Sequence, residues 1–209
     1  WDYWERHLDP DLSLDRSLAG AVRGKVVLIT GGSSGIGLAA AERCADAGAK
    51  VVIVARDPQK LEAARARIAE HGGTVFAYQC DIADYQACDA LARQVLSEHG
   101  GVDVLVNNAG RSIRRSIDLS YDRFHDFERT MQLNYFAVVR LTMALMPSML
   151  SRGSGHIVNI SSIGVLSNAP RFSAYVASKA ATEAWTRCAA SEFADRGVSF
   201  TIINMPLVR

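Results

Sequence analysis

The 209-residue chain has the composition of an ordinary globular protein: 49% of its residues are hydrophobic, 22% are charged, and its formal net charge is +1. This length allows one domain with a sizeable core but hardly two, and the near-neutral charge excludes the basic surface that would predict nucleic-acid binding. No apolar run approaches the ~20 residues that cross a bilayer, and the first residues lack the basic and apolar regions of a secretion signal.

Cysteines and histidines indicate neither disulfides nor a metal. The cysteines have no CxxC spacing and are interpreted as reduced core residues, which favours a cytoplasmic location. The histidines are scattered, so no metal site is predicted. These residues are Cys44, Cys80, Cys88 and Cys188, and His7, His71, His99, His125 and His156.

Residues 1–22 differ from the rest of the chain, because they are aromatic and charged, include Pro10 and show no strand pattern. We interpret them as a linker or as an arm packed on a domain that comprises residues 23–209. The chain begins at Trp1 without a methionine and stops at Arg209 directly after an apolar stretch. We therefore expect it to be a piece of a larger protein that lacks its C-terminal part.

From Lys25 onward, short β-branched runs alternate with longer segments of helical period. The predicted strands are Lys25 to Thr30, Lys50 to Arg56, Thr74 to Cys80, Val102 to Asn107, Gly155 to Ser161 and Val198 to Asn204. The predicted helices lie around Gly35 to Ala47, Pro58 to His71, Asp84 to His99, Tyr121 to Leu150 and Ala174 to Ala194. Nearly unbroken apolar strands are buried on both faces. The alternation therefore predicts a six-stranded parallel sheet between two helix layers, the doubly wound Rossmann fold.

A glycine-rich segment joins the first strand to the first helix. Its residues are Thr30, Gly31, Gly32, Ser33, Ser34, Gly35, Ile36 and Gly37. Gly31 permits a sharp turn, Gly35 lets the backbone approach a pyrophosphate, and Gly37 lets the helix pack closely on the strand. Glycines also make ordinary turns, but a helix N-terminus attracts anions. The strand before it and the helix after it favour a dinucleotide site.

The end of the second strand predicts NADPH. An NAD enzyme commonly carries Asp or Glu there to bind the ribose 2′-hydroxyl, whereas this strand ends at Arg56 without an acid. Arg56 can pair with a 2′-phosphate, and Ser33 or Ser34 can add donors. The alternative is that Arg56 is a solvated surface charge beside Asp57.

Tyr175 and Lys179 are four residues apart on a predicted helix, so their side chains share one face. A phenol ordinarily loses its proton only near pH ~10, and an adjacent ammonium stabilises the phenolate. We predict that Tyr175 donates a proton in carbonyl reduction and that Lys179 tunes it.

Three motifs in this order resemble the short-chain dehydrogenase/reductase family. They are the glycine-rich segment, Asn107-Asn108-Ala109-Gly110 after the fourth strand, and Tyr175-Val176-Ala177-Ser178-Lys179. The likeness runs from about Lys25 to Arg209. It implies a nicotinamide-dependent oxidoreductase in which Lys179 also holds the nicotinamide ribose.

The resemblance implies two further catalytic residues. In the family a serine about thirteen residues before the tyrosine binds the substrate oxygen, which selects Ser162 and leaves its neighbour Ser161 as the alternative. Asn134 matches the family's helix asparagine that anchors a proton-relay water. Alternatively, Asn134 is a buried polar residue satisfied by backbone.

The resemblance also implies cofactor contacts beyond the glycine-rich segment. These are Asp81, Ile82, Asn108, Ala109, Gly110 and Pro206, together with Tyr175 and Lys179. Asn108 and Gly110 are alternatively structural residues of their loop. Leu207 departs from the family pattern, because a glycine commonly follows the proline, and the substrate lid beyond it is absent from the chain.

The segment from Trp4 to Pro10 resembles the junction before the reductase domain in bacterial, especially mycobacterial, multidomain fatty acyl-CoA reductases. This implies that a fatty acyl-CoA thioester is reduced to an aldehyde. The alternatives are a 3-oxoacyl or other ketone reductase, an alcohol dehydrogenase, and a catalytically silent NADP-binding scaffold domain. Family members commonly pair through their two long helices, so a homo-oligomer is expected.

Overall fold

Strands and helices alternate along residues 17–206, which are the residues that the computed structural model describes. The strands are β1 (Val26–Thr30), β2 (Lys50–Ala55), β3 (Thr74–Gln79), β4 (Val104–Asn107), β5 (Gly155–Ser162) and β6 (Val198–Met205). The α-helices are α1 (Leu18–Val22), α2 (Gly35–Asp46), α3 (Pro58–Glu70), α4 (Tyr85–His99), α5 (His125–Met131), α6 (Ala137–Arg152), α7 (Ile163–Ser167) and α8 (Ser173–Phe193).

All six strands pair in parallel, in the order β3-β2-β1-β4-β5-β6. The predicted doubly wound sheet is therefore confirmed. The strand order reverses direction between β1 and β4, and in such sheets ligands bind at the carboxyl ends of the strands beside this point. Thr30 ends β1 and Asn107 ends β4. The predicted glycine-rich segment and the Asn107 to Gly110 loop therefore lie next to each other.

Two apolar clusters fill the layers on either side of the sheet. Successive strand residues point to opposite faces, so Leu28 belongs to one cluster and Ile29 to the other. The first cluster includes residues of α4 and α6, and the second includes residues of α2 and α3. The side chains of Leu28 and Ile29 are completely buried. The sheet thus forms the middle of three layers.

The helix predicted over Tyr121 to Leu150 is continuous only from His125. A 3₁₀ turn at Ile117–Leu119 precedes it, and α5 passes into α6 through a π-helical turn at Gln132–Phe136. Within that turn, the carbonyl of Asn134 accepts a hydrogen bond from the Thr182 hydroxyl at 2.8 Å. Such a contact with a distant helix leaves no local signal in the sequence.

The joined stretch His125–Arg152 is long and apolar enough to cross a membrane by length and composition alone. Its inner face is nevertheless part of the core, since Leu141, Leu145 and Met149 are fully buried. The core helix of a soluble protein passes the same test, and we interpret this stretch as a core helix. The Met-rich segment Leu141 to Met146 accordingly contributes mainly to the helix core.

Residues 1–16 of the predicted arm lie outside the described residues. The remainder of the arm forms α1, and Val22 at its end is buried in the cluster beneath β1 and β2. All four cysteines are free. Cys80 and Cys88 are buried as predicted, but the prediction of a core position is wrong for Cys188, which is exposed on α8.

Candidate active site

The ends of β1 and β4 are joined by side-chain hydrogen bonds. The Thr30 hydroxyl oxygen accepts the backbone N–H groups of Asn108 and Ala109, at 3.1 and 3.0 Å. In return, the Asn108 side-chain amide donates to the carbonyl oxygens of Thr30 and Gly31, at 3.0 and 3.3 Å. Asn108 therefore holds the two loops together, and its predicted contact with the cofactor stays a prediction. Thr30 is an anchor that the sequence motifs did not single out.

Close packing explains two of the loop glycines. A Cβ on Gly37 would lie 2.3 Å from the Gly31 carbonyl oxygen, and Gly31 itself has a positive φ of +68°. Gly35 also has a positive φ, of +54°, but a Cβ there would meet no atom within 4 Å. The open space beside Gly35 lies at the N-terminus of α2, whose N-cap Ser34 makes no side-chain capping bond. The loop thus presents free N–H groups to an anion.

One cavity, of about 330 Å³, extends from this loop along the ends of β2 and β3. Of the predicted cofactor residues, it is lined by Gly31, Ser33, Ser34, Arg56, Asp81, Ile82, Ala109 and Gly110. Lys60 adds a second cation, which sequence reasoning missed although it lies only four residues beyond Arg56. Asp57 also lines the cavity, but its carboxylate caps α3 by accepting the N–H groups of Gln59 and Lys60.

Arg56 is half-exposed and lies 3.8 Å from Asp81 in a loose ion pair. Its side chain is therefore close to a carboxylate but not locked by one, because exposed pairs of this kind are weak. The cavity combines Arg56 and Lys60 with the hydroxyls of Ser33 and Ser34. This donor set suits a phosphate group.

A second cavity, of about 420 Å³, meets the first at Gly110. It is lined by the predicted residues Ile36, Asn108, Gly110, Ser162, Tyr175, Lys179 and Pro206. Apolar side chains of Ile163, Phe172, Val176 and Met205 form much of the rest. The proton donor, the lysine and the serine predicted from the sequence are therefore brought together around this cavity, which shares Gly110 with the first.

Lys179 is 5% exposed, and its ammonium donates a hydrogen bond to the Ile160 carbonyl oxygen at 2.6 Å. Burial lowers the pKa of Lys179 to about 8, and the negative charge of Glu183 opposes this shift. A Cβ on Gly110 would lie 3.5 Å from the Lys179 Nζ. The lysine charge is thus held immediately beneath the loop where the two cavities meet.

The two candidate serines have different surroundings. The Ser162 oxygen accepts the N–H of Gly164 at 3.1 Å, so its own proton remains available to a ligand in the cavity. The Ser161 hydroxyl instead donates to the buried Glu183 carboxylate at 2.5 Å. This geometry favours Ser162 over Ser161.

Glu183 is a residue that sequence reasoning missed. The same carboxylate oxygen that accepts from Ser161 also accepts from the Asn204 amide at 2.8 Å, and Asn204 donates in addition to the Ser162 carbonyl. Glu183 thus links β5, β6 and α8 behind the cavity. The available signal was its position four residues after Lys179, on the same helix face.

Asn134 is fully buried but lines neither cavity. Its side-chain oxygen accepts the N–H of Arg111, and its amide donates to the Arg111 carbonyl and to the Ser178 hydroxyl. The alternative interpretation as a buried polar residue satisfied largely by backbone therefore describes this side chain. Its position fixes the loop that follows Gly110.

The fold and the joined cavities define a nucleotide-binding α/β oxidoreductase. The chain belongs to the short-chain dehydrogenase/reductase family, because residues 25–209 match the short chain dehydrogenase family. As a member it uses a nicotinamide cofactor. A metagenomic short-chain oxidoreductase solved with NADP has a TM-score of 0.84 at 34% identity, covering 90% of this chain and 85% of that one. An NAD⁺-bound xylitol dehydrogenase also scores 0.84, at 30% identity, covering 88% and 70%.

Curated relatives carry the name that the N-terminal segment led us to expect. A fatty acyl-CoA reductase of Acinetobacter baylyi is 57% identical over 188 residues, which is 90% of this chain and 64% of the relative. One from Mycobacterium tuberculosis is 48% identical over 204 residues, 96% of this chain and 69% of the relative. The resemblance to bacterial fatty acyl-CoA reductases is thus confirmed. The chain spans less than two thirds of the Acinetobacter relative.

Substitutions at two glycines should separate packing from nucleotide binding. Gly37→Ala places a methyl group against the Gly31 carbonyl, so we expect it to lower the free energy of unfolding by about 2 kcal/mol or more. Gly35→Ala strains a positive φ, at about 1 kcal/mol, and fills the open space beside the helix N-terminus. We expect it to fold and to bind NADP at least about tenfold more weakly.

Gly24→Ala is the matched control, because Gly24 has a φ of +73° and a Cβ there also meets no atom within 4 Å. Urea unfolding and NADP titration measure both quantities. Equal NADP affinity in Gly35→Ala and Gly24→Ala would contradict the assignment of the open space to the nucleotide.

The buried charge of Lys179 should make stability depend on pH. Its pKa falls from 10.5 in the unfolded chain to about 8 in the fold. The charged form is therefore penalised below about pH 8, and the penalty disappears as the pH rises to 10.5. Lys179→Met is an unbranched replacement only one atom shorter than lysine, and it removes the titration.

We subtract the free energy of unfolding of Lys179→Met from that of the wild type. This difference should rise between about pH 8 and 10.5, by at most about 1.4 kcal/mol per pH unit. Urea unfolding of both proteins between pH 7 and 10.5 measures the difference, in which the titrations of groups far from Lys179 cancel. A flat difference would show that burial does not perturb Lys179.

Proposed function

We propose that the chain is the reductase domain of an NADPH-dependent enzyme that reduces a fatty acyl-CoA thioester to an aldehyde. The observation that carries this proposal is the grouping of Ser162, Tyr175 and Lys179 around one cavity, next to a second cavity that shares Gly110 with it and is lined by the glycine loop and Arg56. The names of the 57% and 48% identical relatives support the choice of substrate.

NADPH is proposed over NADH on account of the donors at the end of β2. Arg56, Lys60, Ser33 and Ser34 line the first cavity, and no acid ends the strand where an NAD enzyme would bind the ribose. The free N–H groups of the glycine loop would hold the pyrophosphate. Tyr175 and Lys179 would hold the nicotinamide ribose.

The reaction needs a proton at the carbonyl oxygen while NADPH, when bound, supplies a hydride to the carbonyl carbon. The Ser162 hydroxyl donates a hydrogen bond to that oxygen and orients it. The Tyr175 hydroxyl gives up its proton to the same oxygen, and the Lys179 ammonium stabilises the phenolate that remains. The resulting hemithioacetal then releases the thiol of CoA and leaves the aldehyde.

The lining of the substrate cavity supports an apolar substrate. Ile163, Phe172, Val176 and Met205 line it, and Ile163 is in addition half-exposed. An acyl chain would bury this surface.

Asn134 would act on the reaction through the Arg111 backbone and Ser178, which its side chain holds.

Reduction of a 3-oxoacyl group or another ketone would use the same residues but would release no thiol. A silent scaffold role is disfavoured because Tyr175 and Lys179 both line the cavity. We further propose a cytoplasmic enzyme in which residues 23–209 form the NADP-binding domain of a longer protein. Self-association would use the helices α5, α6 and α8.

A thiol-release assay tests the proposed reaction. With palmitoyl-CoA and NADPH, we expect free CoA and palmitaldehyde to appear in equal amounts. Tyr175→Phe should lower kcat by at least about a thousandfold, because the proton donor is lost, while NADP binding is retained. Tyr85→Phe is the control, since this half-exposed tyrosine on α4 lines neither cavity.

Oxidation of NADPH by a 3-oxoacyl substrate without any release of CoA from acyl-CoA would favour the ketone reductase. Full activity of Tyr175→Phe would remove Tyr175 from the mechanism.

Cofactor preference should depend on Arg56. We expect kcat/KM for NADPH to exceed that for NADH by at least about tenfold, or about 1.4 kcal/mol. Arg56→Ala should lower this ratio, because it removes a cation from the proposed phosphate site. Arg65→Ala, which removes an exposed arginine paired with Glu62 on α3, should leave the ratio unchanged. Equal use of both cofactors by wild type would contradict the NADPH assignment.

A further inference from the structure

Three arginines on the two segments that border the substrate cavity have no side-chain partner in the described part of the chain. Arg111 lines the cavity, Arg114 follows it, and Arg171 precedes the cavity residue Phe172. Neighbouring arginines differ, because Arg115, Arg123 and Arg129 all pair with the buried carboxylate of Asp126. Arg111, Arg114 and Arg171 therefore carry positive charge beside the cavity that no described carboxylate pairs with directly.

Arg111 is held in place although its guanidinium is free. Both backbone polar groups of Arg111 are bonded by the buried amide of Asn134, at 2.8 and 2.9 Å. Asn134 is fully buried, so this clamp is shielded from water. A fixed backbone beneath an unpartnered guanidinium is the arrangement expected of a preorganised binding residue.

Arg171 is connected through its backbone to the segment that carries Arg111. Its backbone has a φ of +69°, which is unfavourable for a residue with a Cβ. The Arg171 carbonyl accepts the N–H of Arg115 at 2.7 Å, which joins the segment after β4 to the segment before α8. Backbone strain at an exposed arginine beside a cavity is consistent with a functional position for this side chain.

The cavity and the arginines beside it together match an amphipathic ligand, with an apolar part for the cavity and an anionic part for the arginines. The interior is apolar around Ile163, Phe172 and Val176. The two segments beside it carry Arg111, which lines the cavity, and the exposed Arg114 and Arg171. The phosphates of a bound dinucleotide have separate donors in the glycine loop, Arg56 and Lys60. These donors leave Arg114 and Arg171 available to a second anionic ligand.

We propose that Arg111, Arg114 and Arg171 bind the phosphate groups of coenzyme A while the acyl chain occupies the apolar cavity. This inference rests on the proposed function, and it adds the residues that distinguish a CoA thioester from other thioesters. Guanidinium groups form paired, charge-assisted hydrogen bonds with phosphate oxygens. Coenzyme A carries such oxygens in its diphosphate and in its 3′-phosphate.

Arg111 also lines a third cavity, of about 360 Å³, which it shares with Arg56 and Arg129. A substitution of Arg111 can therefore affect the nucleotide as well as CoA. The Arg114→Ala/Arg171→Ala double variant avoids this overlap, because neither residue lines the nucleotide cavity or the third cavity. Arg111→Ala is tested separately, with KM for NADPH as an additional readout.

The experiment compares palmitoyl-CoA with palmitoyl-pantetheine, which has the same thioester but no phosphate. The measured quantity is the ratio of the two kcat/KM values. We expect this ratio to fall at least about tenfold in the double variant and in Arg111→Ala. Arg43→Ala, an exposed arginine in the last turn of α2, should keep the wild-type ratio.

Calorimetric titration with free CoA provides a readout without turnover, and we expect its Kd to rise at least about fivefold in the double variant. An unchanged ratio, or equal losses with both substrates, would overturn the inference while leaving the proposed function intact. Palmitoyl-acyl carrier protein serves as a third substrate. If the double variant lost activity toward this substrate but kept it toward palmitoyl-CoA, the choice of CoA would be overturned. If wild type reduces no thioester, the proposed function fails, and the CoA titration alone decides the inference.

Discussion

The site depends on the contact between the ends of β1 and β4. One hydroxyl, that of Thr30, accepts two backbone N–H groups of the loop after β4, and one amide, that of Asn108, donates to two carbonyls of the glycine loop. These bonds satisfy the backbone where the strand order reverses and the sheet offers no further strand partner. They also hold the two loops at a fixed separation, with Gly37 packed against them.

Gly110 allows the loop after β4 to pack directly against the buried residues of the active site. A Cβ there would lie 3.3 Å from the Asn134 side-chain oxygen and 3.5 Å from the Lys179 Nζ. The loop is therefore packed directly on the buried lysine and on the asparagine that clamps Arg111. The backbone at Gly110 borders the nucleotide cavity, the substrate cavity and the ammonium of Lys179. The distances between these three parts of the site are therefore set by backbone packing rather than by flexible side chains.

The strands, their order of succession and the main motifs were predictable because each has a local signal. Apolar runs identify strands, and the glycine loop and the Tyr175 to Lys179 spacing need only a strand or a helix as context. Lys60 and Glu183 were missed, although each lies four residues from a predicted site residue. Their roles arise from contacts with other elements: Lys60 borders a cavity, and Glu183 binds Ser161 and Asn204. The interruption of the long helix at Gln132–Phe136 likewise depends on tertiary contacts.

The central claim is that one dinucleotide crosses both cavities over Gly110. A crystal structure of the protein with NADP⁺ tests it most directly. We expect the nicotinamide ring in the cavity lined by Ser162 and Tyr175, the pyrophosphate against the N-terminus of α2, and the 2′-phosphate within hydrogen-bond distance of Arg56 or Lys60. A nucleotide bound in the reverse direction, or with its nicotinamide outside the cavity of Tyr175, would contradict the account.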